Sequence, residues 1–288
     1  MYHYLYALGA IFCWASLPAA TGSGLDGLST EELLFYSFWS GAIFLYLADF
    51  IRNRTLKLHF PSVKTSILGV WGIFIYHYIY YLALDRAPIV EAAILATTWS
   101  FWIVVFSSWL RFKRLKSSIL LTALICMVGA GLVIGSGKVV SYESRYLIGY
   151  LLALGCGLIW SSFSVGLSLV RQSRDPMTVF MFYAAFISTG IFLMSGPHAL
   201  PSLKSLAAAL YLGCVPLGLS FFLWNRAVVG GNLTVIGYLS YLTPPLAVLL
   251  VAVIRGEAIS NQVIVGMTMI IVAAILGQKI LKSAESKR

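Results

Sequence analysis

The residues with chemistry to offer lie inside apolar runs. One run reads Trp71-Gly72-Ile73-Phe74-Ile75-Tyr76-His77-Tyr78-Ile79-Tyr80-Tyr81. Helical neighbours stand three or four apart, so Phe74, His77, Tyr78 and Tyr81 share one face. An aromatic belt accounts for tyrosines at the ends of a membrane span, but not for a histidine and hydroxyls well inside it. Polar groups at that depth avoid lipid, so they line a cavity or bond to each other within the bundle. The next run carries aromatics at positions 99, 102, 106 and 109. Trp99 lies nearest the middle and is the cavity candidate, whereas Trp102, Phe106 and Trp109 are expected to pack or reach the interface. Trp14 and Trp160 sit near the middle of two further runs. A buried indole N–H needs a partner, which a solute carboxylate would supply; symmetric core packing is the alternative. Tyr238 and Tyr241 share a face with Pro245 and are expected opposite Trp99's span. Together these give eight candidate substrate-binding residues: Trp14, His77, Tyr78, Tyr81, Trp99, Trp160, Tyr238 and Tyr241. Pro18, Pro216, Pro244 and Pro245 interrupt apolar runs and are candidate hinges, because each removes a backbone donor and frees a carbonyl.

Other chemistries find no footing. There is no Walker loop, no paired acidic metal site and no Ser-His-Asp arrangement that spacing supports, so no catalytic residue, metal or cofactor is expected. Asp26, Asp85 and Glu91 fall at span ends, and no carboxylate sits near the centre of a span. A charge there costs at least about 3 kcal/mol on insertion scales. A carboxylate relay is therefore not expected, and His77 is the titratable group placed for proton coupling. Transport would be facilitated diffusion or weak coupling through His77.

These residues need long apolar elements to hold them. Hydrophobic residues make up 60% of the chain and charged residues 10%, against about 25% charged in soluble domains. Lipid is the solvent this composition fits. The net charge of +10 does not point to nucleic acid, because the basic residues cluster between apolar runs. Cys13, Cys126, Cys156 and Cys214 are scattered inside those runs and read as buried thiols. Crossing a bilayer takes roughly 20 apolar residues. Runs of about that size fall near 3–21, 32–51, 64–84, 90–110, 117–135, 146–168, 177–195, 204–225, 233–254 and 262–281. The first lacks the basic start of a signal peptide and is read as a retained span.

Fifteen of the 20 Lys and Arg residues fall in the even-numbered connections and the C-terminal tail, and five on the other side. The positive-inside rule then places both termini in the cytoplasm.

The halves look like copies. Ala7-Leu8-Gly9-Ala10-Ile11-Phe12-Cys13-Trp14-Ala15-Ser16 is echoed by Ala153-Leu154-Gly155-Cys156-Gly157-Leu158-Ile159-Trp160-Ser161-Ser162. Phe35-Tyr36 parallels Phe182-Tyr183, and Arg86-Ala87 parallels Arg226-Ala227. With five spans per copy, the second copy enters the membrane from the opposite face. The expected architecture is all-α and integral to the membrane: ten transmembrane helices as two inverted five-helix repeats, 1–137 and 145–282, with a cytoplasmic tail at 283–288. An inverted repeat carries a pseudo-two-fold axis in the membrane plane, the geometry that alternating access uses. The Gly129, Gly131, Gly135 series allows close helix contact, expected inside the bundle rather than in a dimer.

Ten spans in two halves, with small residues and a Trp in spans 1 and 6, resemble the EamA-type branch of the drug/metabolite transporter superfamily. The second half carries Tyr238-Leu239-Ser240-Tyr241-Leu242-Thr243-Pro244-Pro245 and then Arg255-Gly256-Glu257, a mid-span proline and a terminal Gly-Glu typical of that branch. The first half departs from it, with Ala96-Thr97-Thr98-Trp99-Ser100-Phe101-Trp102 lacking the proline and Lys113-Arg114 where Gly-Glu would fall. Within the superfamily the aromatic spans 3 and 4 most resemble the bacterial aromatic amino-acid exporters. The resemblance implies a multi-pass inner-membrane secondary transporter, not an enzyme, exporting aromatic and other neutral amino acids by alternating access. Its partners would be the small-molecule substrate and the lipid bilayer, with the chain a monomer or weak homodimer. Export of drugs or cationic metabolites on the same fold is the alternative, and a lipid-acting membrane enzyme a remote one.

Overall fold

The computed structural model of the chain describes residues 2–55, 57–135, 143–172, 174–198, 200–255 and 258–286. Ten helices in it are long and apolar enough to cross a membrane: α1 (Tyr2–Leu25), α2 (Thr30–Asn53), α3 (Val63–Arg86), α4 (Val90–Phe112), α5 (Ser117–Gly135), α6 (Ser144–Leu169), α7 (Met177–Met194), α8 (Leu203–Gly230), α9 (Leu233–Leu250) and α10 (Asn261–Ala284). Ten crossings bring both ends of the chain to one face, the terminal face. Large apolar side chains such as Phe12, Leu47, Leu121, Leu151 and Ile271 point outward, where lipid rather than water covers them. The Gly256-Glu257 pair, the side chains of Arg255 and Pro18, and the last two residues of the tail lie outside the described residues.

Several of the helices are capped by their own side chains. Ser29 and Glu32 form a reciprocal capping box at the start of α2, satisfying two otherwise orphaned amides. Ser62 caps α3 and Ser202 caps α8, each accepting from the amide three residues on. α2 and α4 both end at the terminal face on a left-handed basic residue, Arg54 (φ 53°) and Lys113 (φ 55°). Cations there offset the negative end of the helix dipole.

The duplication is visible in these irregularities. α3 and α8, third in their halves, share a serine cap and a π-helical turn, at Val70–Ile75 and Gly213–Leu219. α4 and α9, fourth in their halves, each begin with an eight-residue segment, Ile89–Ala96 and Leu233–Ser240. A two-residue break follows, at Thr97-Thr98 and Tyr241-Leu242. Packing between the halves has the same symmetry: α1 meets α8 as α6 meets α3, α1 meets α9 as α6 meets α4, and α2–α7, α4–α9 and α5–α10 pair directly. Exchanging the two halves leaves this scheme unchanged. With five helices in each half, the exchange also inverts direction across the membrane.

The α5–α10 seam is the closest of these contacts. A Cβ on Gly129 would lie 2.8 Å from the Gly266 carbonyl oxygen, and one on Gly266 would lie 2.6 Å from that of Gly129. Both obstacles are backbone, so a side chain fits only if the helices separate. Gly129 therefore serves the bundle, as the sequence suggested, whereas Gly131 faces only Ile94 of α4 at 3.7 Å. Gly266→Val should destabilise the protein by about 1–3 kcal/mol. Thermal unfolding in detergent would read this as a melting temperature lower by roughly 5 °C or more; an unchanged value would mean the seam has slack.

The fourth span lacks the mid-span proline that the ninth carries, which is where the first half departs from the family's sequence pattern. α4 nevertheless breaks at the position equivalent to the break in α9. Thr97 Oγ1 donates to the Ala93 carbonyl (2.8 Å) and Thr98 Oγ1 to that of Leu95 (2.7 Å), back-bonding of the kind that bends helices. In α9, Pro244 is the second residue of the segment Thr243–Arg255, where a missing N–H costs little. α1 behaves likewise: it is interrupted at Ser16, and Pro18 is the second residue of Leu17–Leu25. Pro216 lies inside the π-helical turn of α8.

Candidate functional site

Four tryptophans meet at the centre of the bundle. Trp14 of α1, Trp99 of α4, Trp160 of α6 and Trp224 of α8 are in mutual contact in all six pairings, with ring centroids 5.0–6.5 Å apart. Most pairs are edge-on or tilted, the arrangement the ring quadrupole favours. Phe221 joins against Trp14 and Trp160. Trp14 Nε1 donates to the Pro216 carbonyl at 3.0 Å, and Trp224 Nε1 donates to Ser164 Oγ at 3.0 Å. The π-helical turn of α8 aims the Pro216 carbonyl at the cluster; Ser220 also donates to it. Among the described residues Trp99 and Trp160 Nε1 have no protein acceptor.

A cavity of about 490 Å³ rises from this cluster to the face opposite the termini. Trp14, Trp99, Trp160 and Phe221 form its floor, Tyr76, His77, Tyr80 and Tyr81 one wall, and Thr243, Pro244, Ala247 and Val248 another. Its rim is built from Val90, Ile134 and Ala258–Ser260, at helix ends on the opposite face. Among the described residues that line it, none is an Asp, Glu, Lys or Arg. His77 is 3% exposed and its Nδ1 lies 2.7 Å from the Ile73 carbonyl. A carbonyl only accepts, so Nδ1 carries the proton and Nε2 is left as the second ring nitrogen. Phe38, Tyr76, Tyr81 and Phe221 surround the ring. Among the described residues no group of His, Cys, Asp or Glu has the makings of a metal site.

Five of the eight residues singled out in the sequence, Trp14, His77, Tyr81, Trp99 and Trp160, line this cavity together, with Pro244. Three do not. Tyr78 turns away and stacks on Phe74 at 5.9 Å. Two stripes of α3 share His77 and Tyr81, one with Phe74 and Tyr78, the other with Tyr76 and Tyr80. The helical period alone does not choose between them, and the cavity takes the second. Tyr238 and Tyr241 are fully buried and face α5 instead of α4. Tyr238 Oη bonds to Thr122 Oγ1 (2.6 Å) and donates to the Ile119 carbonyl (3.1 Å); Tyr241 Oη donates to the Ala123 carbonyl (2.9 Å). Phenols buried in a membrane protein need acceptors, and α5 supplies them. Gly277 of α10 leaves room for the Tyr238 ring. Tyr241→Phe should therefore cost about 1 kcal/mol of stability and leave the transport KM unchanged; a raised KM would return Tyr241 to the site.

Trp224, Tyr76 and Tyr80 were not among the sequence candidates. Trp14 and Trp160 announced themselves as a repeated pair. Trp224 and Trp99 sit on α8 and α4, helices that the pseudo-two-fold does not exchange, so comparison of the copies is blind to their meeting.

Toward the terminal face the cluster is backed by polar ties. Gln172 and Asn225 exchange two side-chain hydrogen bonds, at 3.1 and 3.0 Å, and His3 Nδ1 lies 3.1 Å from the Arg226 carbonyl. Beyond them is a second cavity of about 620 Å³, opening among the ends of α1, α2, α7 and α8. Its lining is charged, with Asp49, Arg52, Arg174, Asp175 and Arg226. Asp175 lies between α6 and α7. Burial raises its carboxyl pKa above the ordinary value, and the Met177 amide, the Asn225 side chain and the Arg226 charge pull it partly back.

Comparison with known proteins agrees with this architecture. The model of the EamA-like transporter family matches residues 1–135 and again 147–277, once per half. The aromatic amino acid exporter YddG of Ancylobacter novellus is 29% identical over 283 residues, covering 96% of this chain and 98% of its own. The protein of the same name from Salmonella typhimurium is 24% identical over 281 residues, covering 94% and 95%. A solved crystal structure superposes with a TM-score of 0.86 at 28% identity, over 96% of this chain and 97% of the other. A family match in each half, ten membrane-length helices and a central cavity between the halves make this a multi-pass membrane transporter rather than an enzyme, and the chain belongs to the EamA-like transporter family.

Proposed function

We propose that the chain is an inner-membrane secondary transporter that exports aromatic and other large neutral amino acids by alternating access through the aromatic cavity. The observation that carries this reading is the cavity floor, where two indole N–H groups without acceptors among the described residues sit among edge-on and tilted aromatic rings. Those donors suit an α-carboxylate, and the rings of Trp14, Trp160, Tyr76 and Tyr80 suit an aromatic side chain. At about 490 Å³ the cavity lies within the range of small-molecule sites. With no charged side chain among the described residues of its lining, it suits a solute that is neutral overall. Export of aromatic amino acids is also the activity named for the two relatives above.

The excess of Lys and Arg on the terminal face favours placing that face in the cytoplasm. The cavity then opens outward and the tryptophan floor closes it inward. Pseudo-symmetry supplies the other state: exchanging the conformations of the halves opens the path at the α1, α6 and α8 ties and closes the present rim. His77 Nε2 is the group through which protons would couple, and an uncoupled carrier needs none.

Transport into liposomes with a panel of labelled amino acids tests the reading. Saturable uptake of phenylalanine, tyrosine and tryptophan is expected, with no uptake of glutamate or arginine. An inward proton gradient that drives uphill accumulation in the wild type but not in His77→Gln would select coupling over facilitation. The cation-π surface of the same rings favours a second reading, export of lipophilic cations, and the panel should include one.

A further inference from the structure

The cavity on the terminal face has a chemistry opposite to that of the central one, and it is unused by the function above. We propose that it is a separate docking site for the zwitterion of the transported amino acid, reached before the central cavity; this rests on the amino-acid reading of the transporter. Several of its charges are already engaged. Asp49 accepts from Arg52 at 2.8 Å and from Thr178 at 2.6 Å, which gives each of its oxygens a donor. What remains among the described lining residues is one carboxylate, Asp175, and three cations without an ion pair, Lys57, Arg174 and Arg226, of which Arg226 stands beside Asp175. Arg226 makes no ion pair among the described residues, and its Nε is buried without a hydrogen-bond partner. Its guanidinium carbon lies 4.4 Å from the Phe222 ring centroid and 5.9 Å from that of Tyr6, cation–π contacts that leave a guanidinium able to bind an anion through its N–H groups. Asp175 likewise makes no ion pair among the described residues; it accepts from the Met177 amide at 3.1 Å, and the Asn225 side chain and the Arg226 charge also stabilise its carboxylate.

The Arg226 guanidinium, the Asp175 carboxylate, and the Tyr6 and Tyr46 rings in the same cavity complement the carboxylate, ammonium and side chain of an aromatic amino acid. The arrangement also divides the work of dehydration. An ion leaving water is costly unless opposite charge receives it, and the charged cavity receives both ends of the solute. The central cavity then needs only neutral dipoles to hold it.

The test places a reporter on the cavity wall. Val229 lines this cavity and Val229→Cys is labelled with a charged methanethiosulfonate reagent, the rate for the unsubstituted protein being subtracted. L-phenylalanine is expected to slow labelling at least threefold. L-phenylalaninamide, without the carboxylate, and 3-phenylpropionate, without the ammonium, should not. Adding Arg226→Gln or Asp175→Asn should abolish the slowing, each variant being checked for a single melting transition. Adding Trp160→Ala, which disables the central cavity, should leave it intact. No slowing by phenylalanine, equal slowing by the amide, or slowing that survives both charge variants overturns the proposal. So does slowing that disappears with Trp160→Ala, since it would report closure driven from the central site. Phenylalanine transport without protection removes the docking site alone, whereas protection without transport removes the transport reading and leaves a binding site.

Discussion

Replacing Trp160 with alanine is expected to slow amino-acid transport at least tenfold. Trp160 touches the rings of Trp14, Tyr76, Trp99, Phe163, Phe221 and Trp224, and its N–H faces the cavity without a protein acceptor. A hydrogen bond to a charged group contributes about 1.5–3 kcal/mol and an aromatic contact about 0.5–1.5 kcal/mol. Losing even the lower sum exceeds the 1.4 kcal/mol that corresponds to a factor of ten. Trp160→Phe separates the two contributions, keeping a ring and removing the donor, and it should fall between wild type and alanine. Trp99→Ala should behave as Trp160→Ala does. Initial rates in liposomes, with thermal unfolding as the control for folding, give the measurement. Rates within twofold of wild type for both alanine variants would remove the floor from the binding site.

Trp14→Ala should act chiefly on stability. Trp14 stands against the other three tryptophans and Phe221, and its N–H also holds the Pro216 carbonyl. Emptying a buried tryptophan costs about 3–5 kcal/mol, enough to lower the melting temperature by roughly 10 °C. Trp14→Phe keeps most of the packing and loses one hydrogen bond, for about 1 kcal/mol. The Pro216 carbonyl would still accept from Ser220, so it would not be orphaned. A melting temperature for Trp14→Ala within about 2 °C of wild type would show that the cluster is loosely packed.

The bilayer made the fold easy to read. Apolar runs of span length have few alternatives in lipid, so the ten helices lie close to their expected places. The site was legible where side-chain depth alone decides: Trp14, Trp99, Trp160, His77 and Tyr81 all reach the central cavity. It was not legible where a residue must choose between two neighbours. Tyr238 and Tyr241 belong to a span that borders the cavity, yet Thr122 and the α5 carbonyls claim their hydroxyls. Tyr78 and Tyr80 are equally good helical companions of His77, and only the packing of Phe74 separates them. The break in α4 was hidden for another reason. Proline marks a break in a sequence, whereas Thr97 and Thr98 accompany this one through hydroxyl bonds to their own helix.

The two substrate readings differ in what the free indole N–H groups are for. An N–H donor has no use for a cation, and an aromatic face has use for both. Phenylalanine and β-phenylethylamine share the ring and the ammonium and differ in the carboxylate, so the most direct measurement is their uptake side by side into liposomes containing the wild-type protein. The account predicts saturable uptake of phenylalanine that phenylethylamine neither matches nor inhibits at equal concentration. Uptake of phenylethylamine with none of phenylalanine would contradict it.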